Sequence, residues 1–415
     1  GQAFYKDVAG DTLDYVVREM TDKDGGFYSA EDADSIPPER AGDPGARKME
    51  GAFYIWRDEE IGEALGADAD LFRLRFGIER DGNAPFDPQN EFTHKNLLYS
   101  ARTVSEIASL IQQPASQIDD ALERARDIMR EVGSRRPRPH LDDKVLTAWN
   151  GLMIAAFARA SRVLPGSDRY LAPARRAADF LRGPMWDSPT LLRRYRNGDA
   201  AIPAYAEDYA YLIFGLLELF QAEGDPRDLE WALALQRRQD ELFWDPADGG
   251  WFSTTGQDPT VLLRLKEDYD GAEPAPSSVS VLNLLTLSHL TNDTAMLDKI
   301  TTTLGGFGAR LAQIGRAVPM MLSALSTYHA GMLQVVVAGP RDREDTQVLL
   351  DVVRSQYRPT ALVLPVDPGR HEALAKILPW MASMGMREGR ATAYVWRDFR
   401  CQAPTTDPNA LQTAL

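Results

Sequence analysis

Cysteine is almost absent from this chain. Cys401 is the only one in 415 residues, so no internal disulfide can form and the fold has to be held by its core. That usage is compatible with a reducing compartment and points to the cytoplasm. Net positive charge is also lacking: 46 lysines and arginines face 61 aspartates and glutamates, a formal net charge of −15. With no basic stripe to offset it, this balance argues against nucleic acid or an anionic membrane as partner. No run of about 18 apolar residues occurs, so no membrane-spanning helix is expected. The sequence has no H-E-x-x-H, paired C-x-x-C or P-loop, and no cofactor or metal is expected. A G-x-S-x-G nucleophile elbow is missing too.

What is present is an ordinary globular mixture, with 44% apolar and 26% charged residues, on a chain long enough for one large or two ordinary domains. It opens on Gly1 and enters a helical pattern almost at once, which reads as a piece of a longer protein. Helical periodicity dominates as far as Gly331. Residues 146–164 (LTAWNGLMIAAFARASRVL), 208–224 and 277–290 are apolar on more than one face, as inner helices of a layered bundle are. Each is followed by a more amphipathic helix. The apolar helices recur at roughly 60 to 70 residues, the mark of a repeated helical hairpin. Arms with strand character, such as MWDSPTLLRRYR and FWDPADGGWFSTT, follow the second helices. The expected fold is therefore mainly α, an (α/α) toroid of hairpins over residues 1–331 with a loop insertion around 25–100. From Met332 the order β-α-β-α-β predicts a small α/β appendage over 332–415.

In a toroid, the loops that enter the inner helices rim a cleft, and the candidate chemistry sits in such loops. HLDDKVLTAWNG brings His140, Asp143, Lys144, Trp149 and Asn150. YAEDYA brings Tyr205, Glu207 and Asp208, and RLKEDYDG brings Lys266 and Asp268. GGFYSAEDADS brings Tyr28, Glu31, Asp32 and Asp34, with Trp56 a little further on. Glu31, Asp32, His140, Asp143, Glu207 and Asp208 are the candidate acid–base groups, and the rest are candidate ligand contacts. Each has a plainer reading: Asp208 and Asp143 cap helix starts, and Asp24 and Asp248 before Gly-Gly shape turns. The excess carboxylates beside aromatics are the equipment of sugar-handling sites, where carboxylates accept hydroxyl hydrogens and rings pack on C–H faces. His140, in a polar cluster, is the best candidate for a general base, whereas His289 reads as a core histidine.

Several of these stretches, GGFYSAEDADS, EGAFYIW, HLDDKVLTAWNGLMIAAFARA, YAEDYAYLIFGLLELFQA, FWDPADGGWFSTT and TAYVWRDFRCQAPTTDP, together resemble the spermatogenesis-associated, thioredoxin-domain-containing family. The resemblance covers nearly the whole chain. It implies a toroid similar to N-acylglucosamine 2-epimerases and six-hairpin glycosidases, preceded in the full-length protein by a thioredoxin-like domain that is absent here. It also implies a carbohydrate-binding and carbohydrate-modifying role, of epimerase or glycosidase type, on a small-molecule sugar ligand. The competing reading is a non-catalytic binding or scaffolding module beside the redox domain. No HFEKMLYD-like segment occurs, and PAPSSVS stands where the family tends to show PSGNS. The completeness of the toroid and of its catalytic set is left open. Cys401 matches a family position, but a single thiol is no evidence of redox catalysis.

Overall fold

A computed structural model describes residues 3–84, 86–87, 92–164, 166–397 and 400–415. The chain divides into two compact units, one of residues 1–29 and 143–415, the other of residues 30–142. It starts with helix α1 (Ala3–Glu19) and strand β1 (Tyr28–Glu31), which leads into the second unit. There it forms the β2 (Asp34–Ser35) and β3 (Met49–Glu50) pair, helices α2 (Asp58–Leu65) and α3 (Ala69–Phe76), then α4 (Val104–Ile111) and α5 (Ala115–Ser134). Residues 25–100, read from the sequence as a loop insertion, thus contain regular structure. Two small cores hold this unit, one around Trp56, Ile61, Phe72 and Met129, the other around Ile107, Ile118 and Leu122. Thr103 and Glu106 close a capping box on α4, so a short helix is stabilised at its start.

Strand β4 (Leu141–Leu146) returns the chain to the first unit. Three helical hairpins follow: α6 (Thr147–Val163) with α7 (Ser167–Arg182), α8 (Ala206–Glu223) with α9 (Pro226–Phe243), and α10 (Pro276–Thr291) with α11 (Thr294–Gly306). Between the first two runs an arm of β5 (Trp186–Asp187), β6 (Thr190–Arg196) and β7 (Asp199–Pro203). Helix α12 (Gly308–Ile314) and α13 (Pro319–Ala330) end the series. Helices α6, α8, α10 and α13 pack one on the next, and α7, α9 and α11 each back their own partner. The protein is mainly α and built of (α/α) layers. The inner helices are apolar all round because they are covered on both sides; nearly every residue of α8 is buried. No helix of the described residues is long and apolar enough to cross a membrane.

The last segment is a four-stranded sheet with order β11-β10-β8-β9, from β8 (Leu333–Ala338), β9 (Ala361–Val366), β10 (Thr392–Arg397) and β11 (Arg400–Cys401). β8 and β9 run parallel, joined by α14 (Glu344–Arg354), while β10 is antiparallel to β8. Two further helices, α15 (His371–Ile377) and α16 (Pro408–Ala414), complete it. Helix α15 stops before Pro379, which has no N–H to continue it.

Helices α6 and α8 meet at glycines. A Cβ added to Gly151 would overlap the backbone carbonyl of Tyr211, and one added to Gly215 would overlap that of Gly151. Further along the same pair, the buried Glu218 carboxylate takes a hydrogen bond from Arg159 (2.7 Å) and an ion pair with Arg162. Burial alone would raise its affinity for a proton, but Arg162 and Arg159 outweigh that and hold it below the usual carboxylate range.

Two predictions follow from this contact. Gly→Ala within a helix ordinarily stabilises by about 1 kcal/mol. Gly151→Ala is expected instead to destabilise by roughly 2 kcal/mol or more, because a backbone has to move; urea denaturation measures it, and a gain in stability would refute the close approach. Glu218 contributes stability that is present above its ordinary value of 4.5 and lost as the pH falls toward its lower folded value. Glu218→Gln should therefore cost about 3 kcal/mol at pH 7, and the difference from the native chain should shrink as the pH falls below 4.5 in a stability-against-pH series.

Candidate functional site

The Gly-Gly stretch near the start resolves into a turn and a strand. The turn is shaped by Asp22 rather than by Asp24. The Asp22 carboxylate accepts the Asp24 N–H (2.8 Å), its carbonyl accepts the Gly25 N–H (2.9 Å), and its own N–H reaches the Gly26 carbonyl (2.7 Å). Tyr28 donates to Asp22 Oδ2 at 3.0 Å. Burial and the neighbouring Asp22 push this phenol up to about 12, so it stays protonated.

In the unit of residues 30–142, Glu31 and Asp32 are both paired. Arg138 Nη2 donates to Glu31 Oε1 at 2.6 Å, and Tyr54 reaches Oε2 at 3.4 Å. Lys48 Nζ donates to Asp32 Oδ2 at 3.0 Å. That bond and the Asp34 N–H, with His140 as a weaker contributor, hold Asp32 below the usual carboxylate range. The Asp32 N–H also bonds the His140 carbonyl at 2.8 Å, so Glu31, Asp32 and His140 are brought together. Asp34 lies in β2, opposite Glu50. Trp56 is not available to a ligand. It is 6% exposed, and the Arg136 guanidinium covers its ring at 3.3 Å, a cation–π contact that holds this core.

In the first unit the centre is Asp208, fully buried at the start of α8. Its Oδ1 accepts the Ala148 N–H of α6 (3.1 Å). Its Oδ2 accepts the Tyr205 N–H (2.9 Å) and Arg193 Nη1 (2.8 Å). Burial pushes its carboxyl up to about 7, against the pull of Arg193 and the Tyr205 N–H. Arg193, from β6, also donates to Glu207 Oε1 (2.6 Å) and lies 4.7 Å from the Tyr205 ring centre. Asp208 is thus a positioning residue with no open side for a ligand. Asn150 is consumed in the same way: it exchanges hydrogen bonds with the Phe27 backbone (2.7 and 2.9 Å) and donates to the Leu146 carbonyl (2.9 Å).

Glu207 belongs to a different group. Tyr211, one turn further along α8, is buried, and its hydroxyl bonds the Pro274 carbonyl. Burial, then Glu273, Glu207 and Glu267, push this phenol upward. Glu267 is itself raised, by loss of water around its carboxylate and by Glu207 and Glu273. Glu207, Glu267 and Glu273, with Asp270 the weakest of the four, therefore act on the charge of one tyrosine. Trp149 of α6 joins them, donating its indole N–H to Glu273 Oε1 at 2.9 Å while 39% exposed. Tyr205 is 40% exposed beside Arg193. Such a group can accept hydroxyl hydrogens, offer ring faces and move a proton.

Arg193, Tyr211, Glu267 and Glu273 escaped the sequence reading. Glu207 and Tyr211 stand four apart on one helix, which places them on one face; Glu267 and Glu273 lie in an irregular segment with no period to mark them. The remaining candidates sit elsewhere. Asp143 accepts from Arg196 Nε at 2.6 Å, and the Lys144 carbonyl accepts from Ser29. Lys266 donates to Asp245 (2.7 Å) and to the Gly249 carbonyl. Asp268 pairs with Arg310. Lys266 and Asp268 line a groove of about 610 Å³ with Asp248, Thr302 and Arg310. Among the described residues, no group of three or more His, Cys, Asp or Glu is placed to hold a metal ion.

Truncating Asp208 removes an acceptor from two helix starts and one of the two carboxylates that hold Arg193. Asp208→Ala is expected to cost about 3–5 kcal/mol, with loss of the α6–α8 register read as lost near-ultraviolet dichroism. A cost below about 1 kcal/mol would show that this carboxylate is not a structural centre.

No protein-family model matches the chain. Human spermatogenesis-associated protein 20 is 37% identical over 438 residues, an alignment that covers all of this chain and 55% of that protein. Among solved structures, a family 76 α-mannanase from Bacteroides thetaiotaomicron aligns with TM-score 0.37 and 12% identity, over 53% of this chain and 62% of that one. A cellobiose 2-epimerase from Bacillus thermoamylovorans aligns with TM-score 0.35 and 8% identity, over 74% and 72%. The chain spans about half the length of the curated relatives it matches. It is homologous to them along its own whole length, and it belongs to the spermatogenesis-associated protein 20 family.

Proposed function

We propose that the group around Tyr211 binds a carbohydrate and exchanges a proton with it. One observation carries this reading: Glu207, Glu267 and Glu273 converge about Tyr211 next to the exposed rings of Trp149 and Tyr205. A polyhydroxylated ring needs acceptors at its edge and aromatic surface on its face, and both are supplied here. Glu207 is tied to Arg193 and serves as an acceptor. Glu267, whose proton is held more tightly than usual, serves as the acid. Two carboxylates in such different surroundings are what acid–base work on a sugar requires.

The alternative, a scaffolding module beside a thioredoxin-like domain, draws on the fact that half of the relatives' length lies outside this alignment. A saccharide panel followed by isothermal titration separates the two. In the first case a mono- or oligosaccharide binds, and Trp149→Ala or Glu273→Gln weakens it about tenfold, near 1.4 kcal/mol. Glu267→Gln should retain binding and lower turnover of that sugar by about 10²–10⁴. Absence of binding across the panel, or binding indifferent to Trp149 and Glu273, would overturn the carbohydrate reading. Binding without turnover would overturn the catalytic part.

A further inference from the structure

Where the end of α10 meets the four-stranded sheet, the seam encloses a cavity of about 320 Å³. Leu285 of α10, Leu297 of α11 and Tyr328 of α13 form its helical side. Gln334 of β8, Trp396 of β10 and Trp380 of the short turn Pro379–Met381 form the other. All belong to the unit of residues 1–29 and 143–415. Gln334 and Trp396 are opposite each other on the antiparallel β8–β10 pair, so their side chains leave the same face of the sheet. Trp380 is tied to the end of α10, donating its indole N–H to the Leu290 carbonyl at 2.6 Å. That carbonyl is one that a helix end leaves without a partner of its own. The Trp380 and Trp396 rings, both half-buried, stand 5.9 Å apart and inclined at 62°.

None of the described residues lining this cavity is Asp, Glu, Lys or Arg. Its walls are indole, phenol and aliphatic surface, which give a charged guest no counter-ion and a polyol too few partners. They suit an aromatic guest, whose faces and edges pack against indole rings. An apolar cavity near 150 Å³ holds one benzene ring, so about twice that volume suits two fused rings. One polar group is set among these walls. Gln334 is 8% exposed. Its Nε2 donates to the His289 carbonyl at 2.9 Å, and its Oε1 accepts no hydrogen bond among the described residues. A half-used amide in such a wall costs free energy until a donor reaches it. The exposed Asn292 and Tyr328 mark the side open to water.

We propose that this cavity binds a small, uncharged, bicyclic aromatic molecule with one hydrogen-bond donor. Its rings lie against Trp380 and Trp396, and its donor meets Gln334 Oε1. The site is separate from the carbohydrate site and does not rest on it. Glu273 and Pro274 lead into the start of α10, whereas His289 and Leu290 are in its last turn, roughly 20 Å along the helix.

The probe is indole, which is bicyclic and uncharged and carries one N–H. Benzofuran, of the same shape with oxygen in place of that N–H, is its control. Saturation-transfer NMR on the full chain should give indole a Kd on the order of 0.1–1 mM, and benzofuran one about five- to tenfold weaker. Gln334→Met should erase that difference. Tyr328→Ala, at the open side, should weaken indole several-fold and leave Tm in place. Leu297→Trp, which fills the cavity, should abolish binding; if it does not fold, Tyr328→Ala and the benzofuran comparison still decide. Glucose should not displace indole. Absence of saturable indole binding, or binding undiminished in Tyr328→Ala or in folded Leu297→Trp, would overturn the site. Benzofuran binding as tightly as indole, or displacement by glucose, would overturn the assigned ligand class.

Discussion

The buried carboxylate of Asp208 is the interaction on which the rest of the helical layer depends. One side chain receives the first free N–H groups of two inner helices and the guanidinium of a strand in the arm between them. An ion taken out of water this completely has to be met by donors on every side. The three donors belong to α6, to the start of α8 and to β6, so satisfying the ion sets their relative register. Glycines at 151 and 215 then set the distance at which the two helices pass. Trp149 and Glu207 lie beside these fixed points, and their positions follow from them.

The pairing of α6 with α8 is parallel. Ala148 meets Asp208, Arg159 meets Glu218 and Arg162 meets Gln221, an offset close to the hairpin repeat visible in the sequence. Parallel neighbours bring like helix ends together, with partial positive charge at one end and negative at the other. The side chains answer that arrangement. Carboxylates gather at the N-terminal ends, as Glu207, Asp208, Glu267 and Glu273; guanidinium groups gather at the C-terminal ends, as Arg159 and Arg162. Each cluster is compensated from within. Arg193 tempers the acidic group, and the buried Glu218 carboxylate takes both guanidinium groups of the basic one.

Periodicity made the helices legible. The inner helices are apolar on all faces because each is covered on both sides, and their amphipathic partners have one wet face. The α/β segment after Met332 was equally readable, because β-branched runs alternate with one long amphipathic helix. The helices at 104–111 and 115–134 went unremarked, and the stretch from 25 to 100 read as loop. Its two helices are only eight residues each, too short for a period to stand out.

The candidate site was legible only as a list of residue types. Local sequence determined that Asp, Glu, Trp and Tyr crowd the entries to the inner helices, since capping and dipole effects act within one turn. Which of them stay open was decided by the tertiary structure. Asp208 and Asn150 were consumed by backbone groups, and Trp56 by Arg136, through partners distant in sequence. Glu267 and Glu273 came to Tyr211 along an irregular segment, where no period records direction. The reason is physical: propensity and periodicity are properties of neighbours along the chain, whereas desolvation and charge pairing depend on what the folded chain brings alongside.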